Sequence, residues 1–318
     1  MRVLESVPNV SEGRDPAVVR AVAAALARGG ASVLDTHVDA DHHRSVFTLV
    51  GSDDALAEGL VAGIAEAARA IDLDRHRGVH PRVGAADVVP VVPLTADELP
   101  WARAVALEVA RRVGEELELP VFLYGELAGG LRPAFYRRGG LAELQRRVAA
   151  GELAPAYGPA AVGARVGGVL VGVRPPLVAY NLVVHGSLED ARAIAMRVRA
   201  SSGGLPGVQA LGLALADERV QVSTNVVDID ATPVHVLVKR ICAEARERGL
   251  EVGTGELVGL LPARVVERAA SAAGDGTPLG EDGLPTTRAL GVAAAALHLA
   301  GLLPERVLEW HLVRLGML

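Results

Sequence analysis

RHRGVHPRVGAADVV, from Arg75 to Val89, carries a polar loop into an apolar run. Two glycines, Gly78 and Gly84, bracket the triplet His80-Pro81-Arg82. Pro81 fixes its own φ and pushes His80 toward extended backbone. An imidazole is thereby expected on a stiff, non-helical turn, with a guanidinium two residues on. Asp87-Val88-Val89-Pro90-Val91-Val92 then reads as a buried strand. A titratable group on a rigid loop beside a strand is where function is commonly found. The plainer use of His80 is to cap the turn or bond the backbone.

Working outward, Arg2 to Val7 reads as a strand, and Asp15-Pro16 is an N-cap followed by proline at the first helical position. The helix is expected to stop at Gly29-Gly30. Ala31 to Asp35 and Ser45 to Val50 read as strands, and Ser52 or Asp53 caps a helix ending near Ile71. With the strand at Asp87 the order is βαββαβ. A helix over Trp101 to Leu117 and a short strand over Pro120 to Tyr124 follow. Residues 125 to 168 read as irregular, apart from a helix near Leu141 to Ala149. A second round starts after Pro175-Pro176. It has a strand at Leu177 to Val184, a helix capped by Ser187, and strands at Val208 to Ala214 and Arg219 to Val226 around a turn at Asp217-Glu218. A helix from Thr232-Pro233 to Arg248 and a strand at Leu257 to Leu261 complete it. The fold class expected is α/β (α+β), with two ferredoxin-like subdomains over residues 1–175 and 176–270, a ligand cleft between them, and a helical extension over residues 271–318. Within that extension the alanine-rich stretch Ala289 to Leu303 reads as a buried helix.

The chain has 318 residues, half of them apolar, and a net charge of −6. There is no Lys/Arg stripe of the kind a nucleic-acid binder uses. No apolar stretch reads as long enough to span a bilayer, and no secretory signal is seen at the N-terminus. The single cysteine, Cys242, leaves no disulfide framework within the chain and suits a cytoplasmic setting.

Several segments fall in the order and spacing of one enzyme family. They include Val7-Pro8-Asn9-Val10-Ser11-Glu12-Gly13-Arg14, Arg44-Ser45-Val46, and Asp72 through Val88 with its His80-Pro81-Arg82. Phe122-Leu123-Tyr124-Gly125, Tyr157-Gly158-Pro159, Val178-Ala179-Tyr180-Asn181 and Gln221-Val222-Ser223-Thr224-Asn225 continue the series. The set resembles the glutamate formimidoyltransferases. The resemblance implies transfer of the formimidoyl group of N-formimidoyl-L-glutamate to N5 of tetrahydrofolate, in histidine degradation and one-carbon metabolism. It implies folate as co-substrate, no metal, and a homodimer. In some relatives a cyclodeaminase domain follows on the same chain; this chain is too short for one, so that activity is expected to be absent. His80 carries over as the catalytic residue, an imidazole suited to taking and giving one proton. Asn9, Ser11, Arg44 and Arg82 are implied to bind the substrate, the two arginines by clamping carboxylates. The folate segments carry over to Gly158, Pro159, Gly163, Ala164, Arg165, Val166 and Gly167, and to Gly203, Gly204, Gly207, Gln209 and Gly212. Glycines there let backbone approach a flat pterin.

The chain also departs from that pattern. Val79 stands where the family commonly has Glu, His37 where it has an acid, and His43 where it has Asn. The 203–207 segment lacks lysines. A paralogous folate-binding protein with altered substrate or no catalysis is therefore the alternative reading. A metal-dependent hydrolase using His37, His42 and His43 is a third, although their spacing fits no familiar zinc pattern. Asp35, Asp39, Asp41 and Asp87 are candidate acid/base carboxylates. Tyr124 and Tyr136 are candidates either for stacking on a pterin or for the core. Gln221, Ser223 and Asn225 share one face of a strand.

Overall fold

The computed structural model describes residues 3–215 and 218–318. Arg2 and Asp217, which belong to an expected strand and turn, lie outside the described residues. The chain divides into two compact units, Met1–Pro175 and Pro176–Leu318.

The first unit starts with β1 (Leu4–Ser6) and β2 (Asn9–Val10), separated at Val7-Pro8, where proline has no N–H to give a ladder. α1 (Pro16–Leu26) begins where Asp15 accepts from the amides of Ala17 and Val18. β3 (Ser32–Asp39), β4 (Arg44–Gly51), α2 (Asp53–Ala70) and β5 (Ala86–Val92) complete the expected βαββαβ order. α3 (Leu99–Glu116), β6 (Val121–Gly125), α4 (Pro133–Arg137), α5 (Gly140–Ala149) and β7 (Val169–Val173) follow. Across the sheet β3 pairs β4, and β1 and β2 lie between β4 and β5, all antiparallel. β7 then pairs β5, and β6 pairs β7, both parallel.

Both faces of this sheet are covered. Leu56, Leu60 and Ile64 of α2 and Val105 and Val109 of α3 pack with Phe47, Leu49, Val89 and Val91. On the other side Val88 joins Phe122, Leu170, Tyr136, Leu144 and Val148, drawn from β6, β7, α4 and α5. Every residue of β5 is buried, so its sequence is a continuous apolar run apart from Asp87.

The second unit has β8 (Val178–His185), α6 (Leu188–Val198), β9 (Val208–Ala214), β10 (Val220–Val226), α7 (Val234–Glu247) and β11 (Glu251–Val258). Its sheet runs β11-β8-β10-β9, with every pair antiparallel. α8 (Ala263–Ala272), α9 (Thr287–Ala296) and α10 (Leu308–Arg314) close the chain. Leu290, Ala293 and Leu297 share one apolar cluster with Leu237 and Ile241 of α7, so residues 271–318 contribute to this unit's core. Among the described residues no helix is long and apolar enough to cross a membrane.

Four local expectations are corrected. β7 was not foreseen; it gives the first sheet a strand beyond β5. β11 starts at Glu251 rather than Leu257, because its glycines hide it from a propensity reading. A Cβ on Gly255 would sit 2.1 Å from the Tyr180 phenol oxygen, which donates to the Leu297 carbonyl, so the tyrosine ring demands glycine there. β3 runs on to Asp39, which makes His37 a strand residue rather than part of a loop. The alanine-rich helix ends at Ala296, and His298 takes a left-handed φ of +53° just beyond.

Candidate active site

The site is built around Asp87, whose side chain is wholly buried at the start of β5. Its Oδ1 accepts the Val83 amide at 2.8 Å. Its Oδ2 accepts from Arg44 Nη1 at 2.8 Å and from Arg137 Nη2. Burial alone would raise the Asp87 pKa. The guanidiniums of Arg137 and Arg44 and the Val83 amide outweigh it and hold the carboxyl well below its usual range. Burial in turn pulls Arg44 down to about 10, against the attraction of Asp87, and it stays charged at neutral pH. Arg44 Nε donates to Asn9 Oδ1 at 3.0 Å. The Ser11 hydroxyl donates to the Gly84 carbonyl at 2.7 Å, tying β2 to the loop that precedes β5.

That loop carries His80. Its Nδ1 lies 2.8 Å from the Pro81 carbonyl oxygen, which can only accept, so the proton of the neutral ring sits on Nδ1. Nε2 is left with its lone pair and has no hydrogen bond among the described residues. The residue is half-buried, and protein packs closely around its ring. That burial, with Arg44, Arg137 and His42 nearby, holds the pKa well below 6.5 despite the opposing pull of Asp87. His80 is therefore neutral at physiological pH and offers a base at Nε2.

The turn between β3 and β4 packs on this loop. Asp39 Oδ1 accepts the amides of Asp41 and His42 at 2.8 Å each, and its Oδ2 pairs with His42 Nδ1. Burial would raise Asp39, but the hydrogen bonds from the His42 ring and these amides bring it down to about 2. The His42 and His80 rings are 5.9 Å apart, centre to centre. His43 stacks on His76 at 4.0 Å and meets Glu12 Oε1 through Nε2 at 3.0 Å. A Cβ on Gly78 would lie 2.4 Å from the His42 carbonyl oxygen, so only glycine lets the two loops approach.

The expected site residues of this unit are thus brought together, but with other partners than foreseen. Arg44 engages Asp87 through Nη1 and Asn9 through Nε. Arg82 stitches its own loop, reaching the carbonyls of His76, Gly78 and His80 at 3.2 to 3.4 Å. Asp39 and Asp87 face cations or imidazole, not one another. His37, His42 and His43 do not gather as one ligand set among the described residues. Tyr124 and Tyr136 are core residues, and Tyr136 donates to the Leu123 carbonyl. Val79 stands 45% exposed at the loop tip. Sequence reading missed Arg137, which lies in the stretch taken as irregular and belongs to no motif.

The segment from Gly163 to Gly167 runs beside the same loop. Ala85 donates to the Val166 carbonyl at 2.8 Å, and Gly168 donates to Val83 at 2.9 Å. Gly167 has φ +75°, and a Cβ there would meet the Val83 carbonyl oxygen at 2.0 Å. Leu73 donates to the Arg165 carbonyl, and Arg165 Nη2 reaches the Arg69 carbonyl at 2.9 Å. Ala164 is exposed in the same turn. Gly158 has φ +81° and packs on Leu119, with the exposed Pro159 next to it. In the second unit, a Cβ on Gly212 would lie 2.4 Å from the Arg192 amide, so this glycine lets α6 lie on β9. Gly204 packs on the end of α6 and Gly207 on Asp228, while Gly203 faces open space and Gln209 is half-buried on β9. Along β10 the Gln221, Ser223 and Asn225 face becomes steadily more exposed.

Residues 3–174 match the family model of the formiminotransferase domain, N-terminal subdomain, and residues 179–272 match that of the formiminotransferase domain. Glutamate formimidoyltransferase of Thermoplasma acidophilum is 37% identical over 270 residues, 82% of this chain and 89% of that protein. The Streptococcus pyogenes protein of the same name is 36% identical over 83% of this chain and 91% of its own length. Formimidoyltransferase-cyclodeaminase of Gallus gallus is 35% identical over 85% of this chain but only 52% of its own, longer chain. By two domain models that together span most of its length, the chain belongs to the formiminotransferase family.

Proposed function

We propose that this protein transfers the formimidoyl group of N-formimidoyl-L-glutamate to N5 of tetrahydrofolate, with His80 moving the proton. The observation that carries the reading is a neutral imidazole with its lone pair on Nε2, inside a chain that matches formiminotransferase models along both units. The amidinium carbon of the donor is already electrophilic. N5 attacks it, and His80 Nε2 takes the N5 proton as the tetrahedral intermediate forms. The same proton passes to the glutamate nitrogen, the carbon–nitrogen bond breaks, and the amidinium is restored on the folate with His80 neutral again. A depressed pKa makes the protonated imidazole a ready donor for the second half of that exchange.

The same reading assigns the carried-over glycine segments to folate, Asn9, Ser11, Arg44 and Arg82 to the substrate side, and a homodimer in the cytosol to the assembly. Support for the first folate segment is its backbone pairing with residues 83–85. A spectrophotometric assay with both substrates tests the function. His80→Ala is expected to lower kcat by about 10²–10⁴-fold with folate affinity largely kept. Unchanged turnover in that variant would remove His80 from its role.

A further inference from the structure

Two guanidiniums share one carboxylate beneath His80. Asp87 is wholly buried and accepts from both Arg44 and Arg137. Arg44 is also buried and engages Asn9 as well. Arg137, the last residue of α4, keeps its side chain 15% exposed and has Asp87 as its one anionic partner among the described residues. Its Nε is buried without a hydrogen bond among the described residues, and its Nη1 makes none there either. Burying a cation in excess of its counter-ion is costly unless another anion completes the set. Two carboxylates near the loop, Asp39 and Glu12, are taken up by His42 and His43. His80 is neutral and supplies no negative charge. Within the cluster two guanidiniums thus meet one carboxylate, and Arg137 is the member with the most donors to spare.

We propose that Arg137 binds one carboxylate of the glutamyl donor, seating the amidine carbon over His80. This rests on the transfer reaction proposed above, whose donor carries two carboxylates on a short chain. Arg137 fits this role better than Arg44 or Arg82, each of which already engages protein acceptors through two nitrogens where Arg137 engages one. A guanidinium fork matches a carboxylate in a way that an ammonium does not.

The test uses the whole chain with three donors: N-formimidoyl-L-glutamate, its norvaline counterpart lacking the side-chain carboxylate, and 4-formimidoylaminobutyrate lacking the α-carboxylate. Arg137→Gln is expected to raise KM for the full donor at least tenfold, with a smaller fall in kcat. Arg137→Lys keeps a charge beside Asp87, guards against misfolding, and is expected to recover only part of the loss. For one of the two truncated donors the wild-type KM should rise as much, and Arg137→Gln should then add nothing further. An unchanged KM in both variants, or equal losses on all three donors, would overturn the assignment while leaving the transferase reading intact. If the wild-type chain transfers nothing, that reading falls, and titration with L-glutamate decides the anion site alone. Binding lost in Arg137→Gln supports it, and no binding to either protein ends it.

Discussion

β5 and β11 occupy the same place in two sheets of like order, each pairing with the first strand of its βαββαβ round. β11 is an edge strand, and its first four residues are exposed or half-buried. β5 has β7 on its far side, and all seven of its residues are buried. An acid falls near the start of each, but Glu251 is solvated while Asp87 is sealed in and must be paired. Adding two parallel strands thus changes what a carboxylate can do: inside a covered sheet it collects arginines and sets the electrostatics of a neighbouring loop. The ion cluster follows from the sheet extension, not from the repeat itself.

The comparison can be broken most directly at the two acids. Asp87→Ala strands two guanidiniums and is expected to cost the first unit about 3–5 kcal/mol. Glu251→Ala should change the second by less than about 0.5 kcal/mol. Hydrogen exchange at β5 and β7 amides, set against β8 and β10, reads the two units separately. Equal protection in both variants would sink the contrast. A smaller effect is expected at glycines. A Cβ on Gly84 would lie 2.0 Å from the Gly168 carbonyl oxygen, so Gly84→Ala should cost about 2 kcal/mol through overpacking. Gly291, in α9, faces open space, and Gly291→Ala should instead stabilise by about 0.5–1 kcal/mol. Thermal melts showing the same sign for both would refute the packing argument.

A further effect concerns pH. Burial, with Arg82 and His43 adding to it, lowers His76 to about 4, against its bond to the His43 carbonyl and the pull of Glu12. A lowered folded pKa means that the unfolded chain takes the proton first, so stability falls as pH drops from about 6.5 toward 4. His80, lowered likewise, acts in the same direction, so the first unit should lose at least about 1 kcal/mol. Asp39 and Asp87 are lowered carboxylates, so their contribution persists through this window and fades only below about 4. Urea titrations at pH 7 and pH 5 would show it. A first unit that gains stability on acidification contradicts the histidine account.

Where sequence chemistry is local, it was legible. Asp15-Pro16, Ser52 and Ser187 cap the helices they were expected to cap, because capping needs only residues within one turn. β11 was misplaced because its glycines answer to a tyrosine on another strand, 75 residues away in the Tyr180–Gly255 contact. At the site, motif reading gathered Asn9, Arg44, His80 and Arg82 but not what they bond. Arg137 reaches Asp87 from 50 residues downstream, a pairing that exists only once α4 covers the sheet. Long-range ion pairing leaves no period and no spacing for a reader to detect.

The backbone bridges between residues 83–85 and 166–168 have one further consequence. Pinned at Val83, Ala85, Val166 and Gly168, the two strips form a single rigid plate, with Leu73 clipped to its rim through the Arg165 carbonyl. A molecule leaning on one strip leans on the other. The imidazole's mounting is thus finished during folding, and little conformational freedom remains to be lost on encounter, which favours fast, geometry-selective capture over slow moulding.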